Sequence, residues 1–413
     1  MNSQDIIVTE QQVVSAIRNY LEDDSFSIYG YNITKASDKM LGYLSEYWKL
    51  NVQFKIKNEV RSLVFFIKGV PRNNTAKAAV VRELKLFNKE LMFYTRIKEK
   101  IDIKGIKPWS AKLVEVLEEA YVFEDLSYLG YRNRHKLNTF DRDHTLQALE
   151  TVARFHSLSL IYEREQSLLS GRPYCINQEF LEHLDRGGYD ENDPWFVQCM
   201  KGALNAVKKF SAHAKNEAAI VLVENKWRDV WTSALRCCDA SARYPNVVAH
   251  RDLWSNNILF RYDGAKPIAC VLVDFQAVRY QPPAGDVMLL LYCNLDQQMR
   301  EENMEYFLNY YYEELANYLK NANVSIESVM SKNEFLTSAE EQRQWALVAF
   351  ACLLPQFWLD DDATTKHFSN SEQFQKILTE DKSSFIELIM NNDDKYKEKV
   401  LGVFDEIVER YCL

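Results

Sequence analysis

Val247-Val248-Ala249-His250-Arg251-Asp252-Leu253-Trp254-Ser255-Asn256-Asn257-Ile258-Leu259-Phe260 is the stretch that decides the fold. Two apolar runs flank a polar loop with the spacing His-x-Asp-x4-Asn. A loop that leaves a strand at Asp252 can present a carboxylate to an incoming hydroxyl group. Asn257, where the next strand begins, offers an amide oxygen to a metal ion. The pattern predicts a strand, a catalytic loop and a second strand.

The second strand continues into a hairpin. Asp263-Gly264 is a strong turn signal between two apolar runs. The run from Ile268 then returns to Asp274, which follows Asn257 by seventeen residues. Paired strands bring Asn257 and Asp274 to the same open end of the hairpin. Because Mg²⁺ in proteins often takes one or two carboxylates together with phosphate oxygens and water, the two residues are predicted to bind Mg²⁺.

The upstream region predicts a small module of strands and helices. Residues 11–21 have helical spacing, whereas residues 47–57 alternate between apolar and polar side chains, as a half-buried strand does. Residues 62–68 form a second predicted strand, joined to the first by the polar turn Lys57-Asn58-Glu59. Helical spacing returns over residues 75–100. The order is therefore helix, two-stranded hairpin, helix.

Phosphoryl transfer requires a lysine against phosphate, an acid that orients the lysine, and a backbone loop over the nucleotide. Lys68 ends the second predicted strand, and Glu90 lies on the helix that follows. The loop of residues 37–45 precedes the first predicted strand and contains Gly42 and Ser45. A solvated edge lysine and a solvated glutamate are the alternatives. The apolar residues before Lys68 favour a buried strand.

Composition excludes several classes of protein. A chain of 413 residues favours two domains or lobes, and 47% hydrophobic with 26% charged residues is ordinary for a globular protein. A net charge of −9 argues against a nucleic-acid partner. The eight cysteines form no CxxC pair, so reduced thiols are expected rather than a disulfide framework or a zinc site.

The same sequence predicts a cytoplasmic protein. Residues 1–5 carry no basic start before an apolar run, so no secretory signal is visible. The longest apolar stretch, residues 345–354, is about ten residues long and too short to span a membrane. It predicts a buried core helix; the alternative is that Trp345 to Leu359 lines an apolar substrate pocket.

The motifs together resemble the kinase-like superfamily that includes choline kinases and aminoglycoside phosphotransferases, and are most similar to the ecdysteroid kinase-like family of insects. The matching residues are Phe87-x-x-Glu90-x-x-Phe93-Tyr94, Glu124-Asp125-Leu126, Ala153-x-Phe155-His156, His250-x-Asp252-Leu253-Trp254-x-x-Asn257 and Val273-Asp274-Phe275-Gln276, with Asp286 beyond.

This resemblance implies an α+β fold of the two-lobed, protein kinase-like type. Residues 1–124 are expected to form an N-lobe with an antiparallel sheet and a helix, and residues 125–413 a larger, mainly helical C-lobe. The cofactors implied are ATP and Mg²⁺. The implied roles are Asp252 as catalytic base, Asn257 and Asp274 as metal ligands, Lys68 on phosphate with Glu90 orienting it, and Glu124 to Leu126 at the hinge near adenine.

The family is described as phosphorylating hydroxyl groups of steroid hormones and lipophilic xenobiotics, the latter a route of detoxification. A small-molecule alcohol is therefore the expected substrate, and no obligate protein partner is inferred. This chain departs from the family in two places: Arg251 stands where glycine is usual, and Gly42 is the only glycine of the phosphate loop.

These departures keep an alternative open, a catalytically weak or inactive kinase-like binding module. A protein kinase is disfavoured because no Ala-Pro-Glu follows Asp274.

Several neighbouring side chains have more than one interpretation. His250 is expected to hold the backbone of the loop rather than to transfer protons. His156 lies on an apolar helical face and is expected to be a hydrogen-bonded core histidine. Trp254 either packs under the loop or touches the substrate. Asp286 either caps a helix or holds the catalytic loop.

Overall fold

A computed structural model of the chain describes residues 8–184 and 189–413; residues 1–7, which include those tested for a secretory signal, lie outside the described part. The N-terminal lobe is built on an antiparallel five-stranded sheet in the order β1-β2-β3-β5-β4. Its strands are β1 (Phe26–Lys35), β2 (Glu46–Ile56), β3 (Glu59–Gly69), β4 (Leu113–Leu117) and β5 (Ala120–Glu124). Its helices are α1 (Glu10–Leu21), α2 (Thr75–Glu83), α3 (Leu86–Met92) and α4 (Lys98–Ile101).

The predicted hairpin is confirmed as β2 and β3. The alternate residues of β2 that were assigned to one face are buried, and they form a core with α1 on one side of the sheet. Lys57 and Asn58 have φ values of 47° and 68°, as a tight two-residue hairpin turn requires. Because β3 pairs with β2 on one side and β5 on the other, Lys68 is on a central strand, not on an edge.

The sequence analysis missed strands β1 and β4, and β1 changes where the phosphate loop belongs. The loop of residues 37–45 joins β1 to β2; it does not precede the first strand of the sheet. β1 is an edge strand with mostly exposed side chains and a register shift between Ile28 and Gly30. Phe26, Ile28 and Ile33 pack against the core, but the bulge interrupts the period-2 alternation, so the sequence carries little signal.

The prediction of one continuous helix over residues 75–100 is wrong. The helix is broken after Glu83, where Lys85 has a left-handed φ of 54°, and α3 passes through a π-helical turn (Phe93–Ile97) into α4. The break gives α3 a direction of its own, so that Glu90 is buried and reaches β3.

The C-terminal lobe is mainly helical. Its helices are α5 (Arg142–Ser170), α6 (Ile176–Phe180), α7 (Pro194–Phe210), α8 (Glu217–Ala234), α9 (Pro283–Asn294), α10 (Gln297–Asn321), α11 (Lys332–Phe357), α12 (Asp361–Phe368), α13 (Ser371–Gln375), α14 (Lys382–Met390) and α15 (Asp394–Ile407). The predicted core helix of residues 345–354 is the buried second half of α11. Among the described helices, none combines the length and the apolar character that crossing a bilayer requires.

Short strands in this lobe carry the polar loop. They are β6 (Tyr131–Asn133), β7 (Val247–Ala249), β8 (Ile258–Asp263), β9 (Lys266–Leu272) and β10 (Arg279–Gln281). β8 and β9 form the predicted hairpin with β6 alongside, and β7 pairs with β10. The architecture is a two-lobed, protein kinase-like α+β fold, with the polar loop and hairpin facing the N-terminal sheet.

We expect Lys85→Gly to stabilise the protein. Lys85 is exposed and its backbone is left-handed, a conformation that costs a residue with a side chain roughly 1–2 kcal/mol and glycine little. The free energy of unfolding should rise by about 1 kcal/mol in urea titrations. Lys85→Ala keeps the strained Cβ and should give no gain; equal stabilisation by both variants would contradict the assignment.

Candidate active site

The catalytic loop runs between β7 and β8 and is fixed from inside by His250. Its ring is buried, its Nε2 donates to the carbonyl oxygen of Val273 at 2.9 Å, and its Nδ1 accepts from the Asp252 amide at 3.3 Å. Burial lowers the pKa of His250, which keeps the imidazole neutral. The prediction that His250 holds the loop backbone is confirmed.

Asp286 supports the same loop from helix α9. Its carboxylate accepts from the backbone amides of His250 (2.6 Å) and Arg251 (2.9 Å) and contacts His156 Nε2 at 3.1 Å. Burial alone would raise the pKa of Asp286, but the hydrogen bond and charge of His156 hold it below its usual value. Since α9 begins at Pro283 with Pro282 as its cap, Asp286 holds the loop and caps no helix.

His156 is the satisfied core histidine that was expected. Its ring is fully buried, and Nδ1 contacts the hydroxyl of Tyr311 at 2.7 Å while Nε2 contacts Asp286. A chain of hydrogen bonds therefore runs from α10 through α5 and α9 to the catalytic loop.

Asp252 and Asn257 are held against each other. The Asn257 amide nitrogen donates to the Asp252 backbone oxygen at 2.9 Å and to its carboxylate at 2.8 Å. Burial and the nearby Asp274 carboxylate raise the pKa of Asp252 to about 7, although the hydrogen bond from Asn257 opposes the shift. A carboxylate with a pKa near neutrality is suited to accept a proton.

Lys68, Glu90 and Asp274 form a buried cluster across the two lobes. The Lys68 ammonium lies 2.5 Å from Glu90 Oε2 and 2.7 Å from Asp274 Oδ1, and Glu90 Oε1 accepts from the Phe275 amide at 3.1 Å. Burial disfavours the charged ammonium, but Asp274 and Glu90 outweigh it and raise the pKa of Lys68 above its usual value. The solvated alternatives for Lys68 and Glu90 are wrong, since the residues are 6% and 2% exposed.

The donor set suits a hard cation. Both hydrogen bonds of the Asn257 side chain use its nitrogen, so in the described part of the chain its Oδ1 is left without a donor. Asp274 uses Oδ1 for Lys68, which leaves Oδ2 for another positive partner. One amide oxygen and one carboxylate oxygen, completed by phosphate and water, match the preference of Mg²⁺. No group of three or more His, Cys, Asp and Glu residues is assembled as a metal site within the described ranges.

A cavity of about 920 Å³ lies between the lobes and collects the candidate residues. All nine predicted site residues line it: Gly42, Ser45, Lys68, Glu90, Glu124, Leu126, Asp252, Asn257 and Asp274. The carboxylate of Glu124 accepts from the Lys112 amide at 2.8 Å, so this side chain ties the end of β5 to the segment before β4. A Cβ on Gly42 would lie 2.5 Å from the Tyr47 hydroxyl, so the absence of a side chain there makes room for Tyr47.

Aromatic residues from distant segments line another part of the cavity. Trp254 stacks on Phe357 with ring centroids 3.7 Å apart, and Tyr43 stacks on Phe357 at 5.3 Å and meets Phe368 edge-on at 5.2 Å. Trp254 therefore packs against α11 and also lines the cavity. The Tyr43 hydroxyl donates to the backbone oxygen of Gln356, which ties the phosphate loop to α11.

Arg251, the departure noted above, is an unusual residue in the structure. It has a left-handed φ of 72° and is 2% exposed, with its guanidinium 4.0 Å from the centre of the Trp345 ring. The backbone conformation costs roughly 1–2 kcal/mol and burial of an ion several kcal/mol. A desolvated cation–π contact returns only about 2 kcal/mol. Glycine is usual at such a position because it adopts this φ without strain.

The model of the ecdysteroid kinase-like family matches residues 39–324, well over half of the chain. The chain belongs to the ecdysteroid kinase-like family. The match includes residues 39–45 of the predicted phosphate loop, the Lys68–Glu90 pair, the predicted catalytic loop and the β8–β9 hairpin.

Other comparisons give weaker similarity to this ecdysteroid kinase-like protein. An uncharacterised kinase-like protein of Caenorhabditis elegans is 25% identical over 173 residues, which is 42% of this chain and 41% of that protein. The chain thus matches about two fifths of the length of that relative. Among solved structures, an ethanolamine kinase of Plasmodium vivax has 12% identity and a TM-score of 0.38, covering 86% of this chain and 83% of that chain.

Two further solved structures are similar to a comparable degree. The choline kinase LicA of Streptococcus pneumoniae has 12% identity and a TM-score of 0.33, covering 83% of this chain and 98% of its own. The GDP complex of aminoglycoside 2'-phosphotransferase-IIIa has 10% identity and a TM-score of 0.35, covering 97% of this chain and 99% of its own. Similarity at this level identifies no substrate.

Several residues that line the cavity between the lobes lie far from the motifs and could not be recognised from the sequence. Tyr43, Tyr189 and Phe368 line it, yet none stands in a recognisable spacing with Asp252. Phe357 also lines it and falls in the segment Trp345 to Leu359, for which pocket lining was the alternative interpretation. Tyr43 lies inside the loop that was assigned to phosphate, and its position alone was the available signal.

We expect Asp286→Ala to be strongly destabilising, because two loop amides and His156 lose a buried charged partner. Removing one member of such a buried set costs about 3–5 kcal/mol. Thermal unfolding should shift down by several degrees, and catalytic turnover should fall with it. Asp229→Ala, on the exposed side of α8, serves as the control; an equal effect of both substitutions would contradict the role of Asp286.

Proposed function

We propose that this protein transfers the γ-phosphoryl group of ATP to a hydroxyl group of a small, lipophilic alcohol of the ecdysteroid or xenobiotic type. The observation that carries the proposal is the convergence of two clusters on one cavity: Lys68 with Glu90 and Asp274, and Asp252 with Asn257. The lobes are proposed to divide at Glu124, with nucleotide bound between residues 1–124 and 125–413, and the protein is proposed to act in the cytoplasm.

Lys68 is assigned to the phosphates of the nucleotide. Its ammonium is held on a central strand by two carboxylates, so it is charged and oriented before any ligand enters. Asn257 and Asp274 would hold Mg²⁺. When bound, Mg·ATP supplies the transferable phosphoryl group and a cation that neutralises charge on it. Gly42, Ser45, Glu124 and Leu126 are assigned to the loop and hinge around the nucleotide.

Asp252 is assigned to the acceptor hydroxyl. Asn257 and the loop backbone fix its carboxylate, and its pKa of about 7 allows it to take up the hydroxyl proton at neutral pH. Positioning and charge neutralisation are most of what phosphoryl transfer asks of a protein. Lys68, Asn257 and Asp274 are proposed to supply both.

The aromatic wall supports a lipophilic acceptor. The rings of Tyr43, Trp254, Phe357 and Phe368 offer apolar area beside Asp252, and apolar surface favours an apolar ligand body. The name of the matching family points to ecdysteroids, which agrees with a hydroxyl as the group phosphorylated.

We expect Asp252→Asn to lower turnover by 10²-fold or more, because a neutral amide accepts no proton. Release of ADP from Mg·ATP is measured against a panel of steroid, xenobiotic and amino-alcohol acceptors, and nucleotide affinity by titration. Affinity for ATP should change little. Asp263→Asn, in the exposed hairpin turn, is the matched control.

Two outcomes would decide against parts of this assignment. Undiminished turnover in Asp252→Asn would remove Asp252 from the reaction. Tight Mg·ATP binding without turnover of any acceptor in the panel would favour the inactive kinase-like binding module, which the single glycine of the phosphate loop and Arg251 keep as the second candidate.

We expect Asp274→Asn to weaken the Mg²⁺ dependence of nucleotide binding. Loss of a charged ligand costs about 1.5–3 kcal/mol, roughly 10- to 100-fold in affinity. Titration of Mn²⁺ into the ATP complex, followed by its electron paramagnetic resonance signal, reports the change. Gln276→Glu, two positions along on the cavity wall, alters charge without touching the proposed ligand set; unaltered Mn²⁺ affinity in Asp274→Asn would exclude Asp274 as a ligand.

A further inference from the structure

Among the described residues, Arg251 has no salt-bridge partner of opposite charge. Its Nη2 donates to Cys238 Sγ at 3.5 Å, whereas its Nε and Nη1 make no hydrogen bond. Across the described ranges, no carboxylate forms a salt bridge with it. Asp252 follows it in the chain, but that carboxylate is engaged by Asn257. A buried cation in this state is costly, because its charge has left water without being neutralised.

The surroundings of Arg251 are positive and aromatic. Arg279, which is 4% exposed on β10, places a second guanidinium near the same ring, since Tyr189 lies 5.7 Å from Arg251 and 5.5 Å from Arg279. On the other side Trp345 stacks on Arg251 at 4.0 Å. Arg251, Arg279 and Tyr189 all line the cavity that contains Asp252. Two arginines therefore line the cavity that contains the proposed base, and Arg251 is the one whose guanidinium is stacked on Trp345.

We propose that Arg251 anchors an anion-binding subsite of the acceptor region, so that the phosphorylated alcohol also carries an acidic group, a carboxylate or another oxyanion. This rests on the proposed function, because it names the substrate class of the same site. The anionic group supplies the counter-charge that the described residues do not provide. Guanidinium groups suit this task because they are permanently charged and are less strongly hydrated than ammonium groups.

The backbone of Arg251 supports a functional reason for the side chain. A glycine would relieve the left-handed φ of 72° and would leave the two Asp286 hydrogen bonds to the loop amides in place. The arginine is thus retained at a position where glycine is favoured for stability. Residues that break a local rule in this way are expected at functional sites.

The variant Arg251→Gly distinguishes the effect of the guanidinium on anion binding from its effect on folding. The variant removes the charge and relaxes the backbone, so it should fold at least as well as the parent protein. Arg251→Met keeps side-chain volume without the charge. Arg82→Gln, at an exposed ion pair on α2, is the matched control for loss of one positive charge.

The first measurement is thermal unfolding of the full chain in increasing sodium acetate and sodium sulfate, without nucleotide or acceptor. A specific site should raise the midpoint of the parent and of Arg82→Gln by about 2 °C or more beyond that of Arg251→Gly and Arg251→Met. Comparison between variants in the same salt cancels general salt effects. Equal shifts in all four proteins would overturn the subsite.

The second measurement identifies the source of the anion. ADP release is compared for a hydroxylated steroid carboxylic acid and its methyl ester. If the acceptor supplies the anion, kcat/KM for the acid exceeds that for the ester by about tenfold or more, and the ratio falls toward one in Arg251→Gly. Equal use of acid and ester, with Arg251-dependent stabilisation by salt, assigns the subsite to a free small anion.

Failure of this inference differs from failure of the proposed function. If neutral alcohols are phosphorylated equally by the parent, Arg251→Gly and Arg251→Met, and salts show no dependence on Arg251, the subsite is wrong and the kinase assignment stands. If salts stabilise through Arg251 but no alcohol is turned over, the anion site stands and the kinase assignment is wrong.

Discussion

A buried cluster of three charges joins the lobes, and the geometry of the site depends on it. Lys68 comes from the central strand of the sheet, Glu90 from α3, and Asp274 from the end of the hairpin in the other lobe. Glu90 also accepts from the Phe275 amide, so the hairpin is held at two neighbouring positions. The free-energy cost of desolvating three ionised groups is offset only when each group has close partners of opposite charge or hydrogen-bond donors. The cluster therefore fixes the position of Lys68, proposed to bind phosphate, relative to Asp274, proposed to bind the metal, before ligands arrive.

The catalytic loop is fixed in a different way, from behind and by a single carboxylate. Asp286 accepts hydrogen bonds from two consecutive loop amides and contacts His156. The other ring nitrogen of His156 contacts the hydroxyl of Tyr311. Because Asp286 anchors the loop backbone, the carboxylate of Asp252 is not needed for that purpose, and its hydrogen bond is to Asn257. The carboxylate of Asp252 is thereby held in a buried position near Asp274, and burial and the negative charge of Asp274 raise its pKa. Support and chemistry are assigned to different acids.

The parts of this arrangement that sequence could predict are those carried by local spacing. His250 to Asn257 occupy one loop, and a turn signal returns the chain to Asp274, so both were found as a set. Lys68 was recognisable because apolar residues precede it. The break at Lys85 was not, because helical periodicity continues across it and only the backbone angle reveals it. Strand β1 was not either, because a bulge interrupts its alternation and most of its side chains are exposed.

The substrate region lies beyond local patterns for a physical reason. Its walls come from the phosphate loop, the catalytic loop and the helices after residue 331, which meet only through tertiary packing. An apolar residue there has the same sequence signature as one in the core. Arg251 differs because it conflicts with two independent preferences, the φ value suited to glycine and the exposure suited to a cation. The apolar pattern does not distinguish the cavity from the core. Arg251, which adopts an unfavourable backbone conformation and a buried position, is therefore more informative about what the cavity binds.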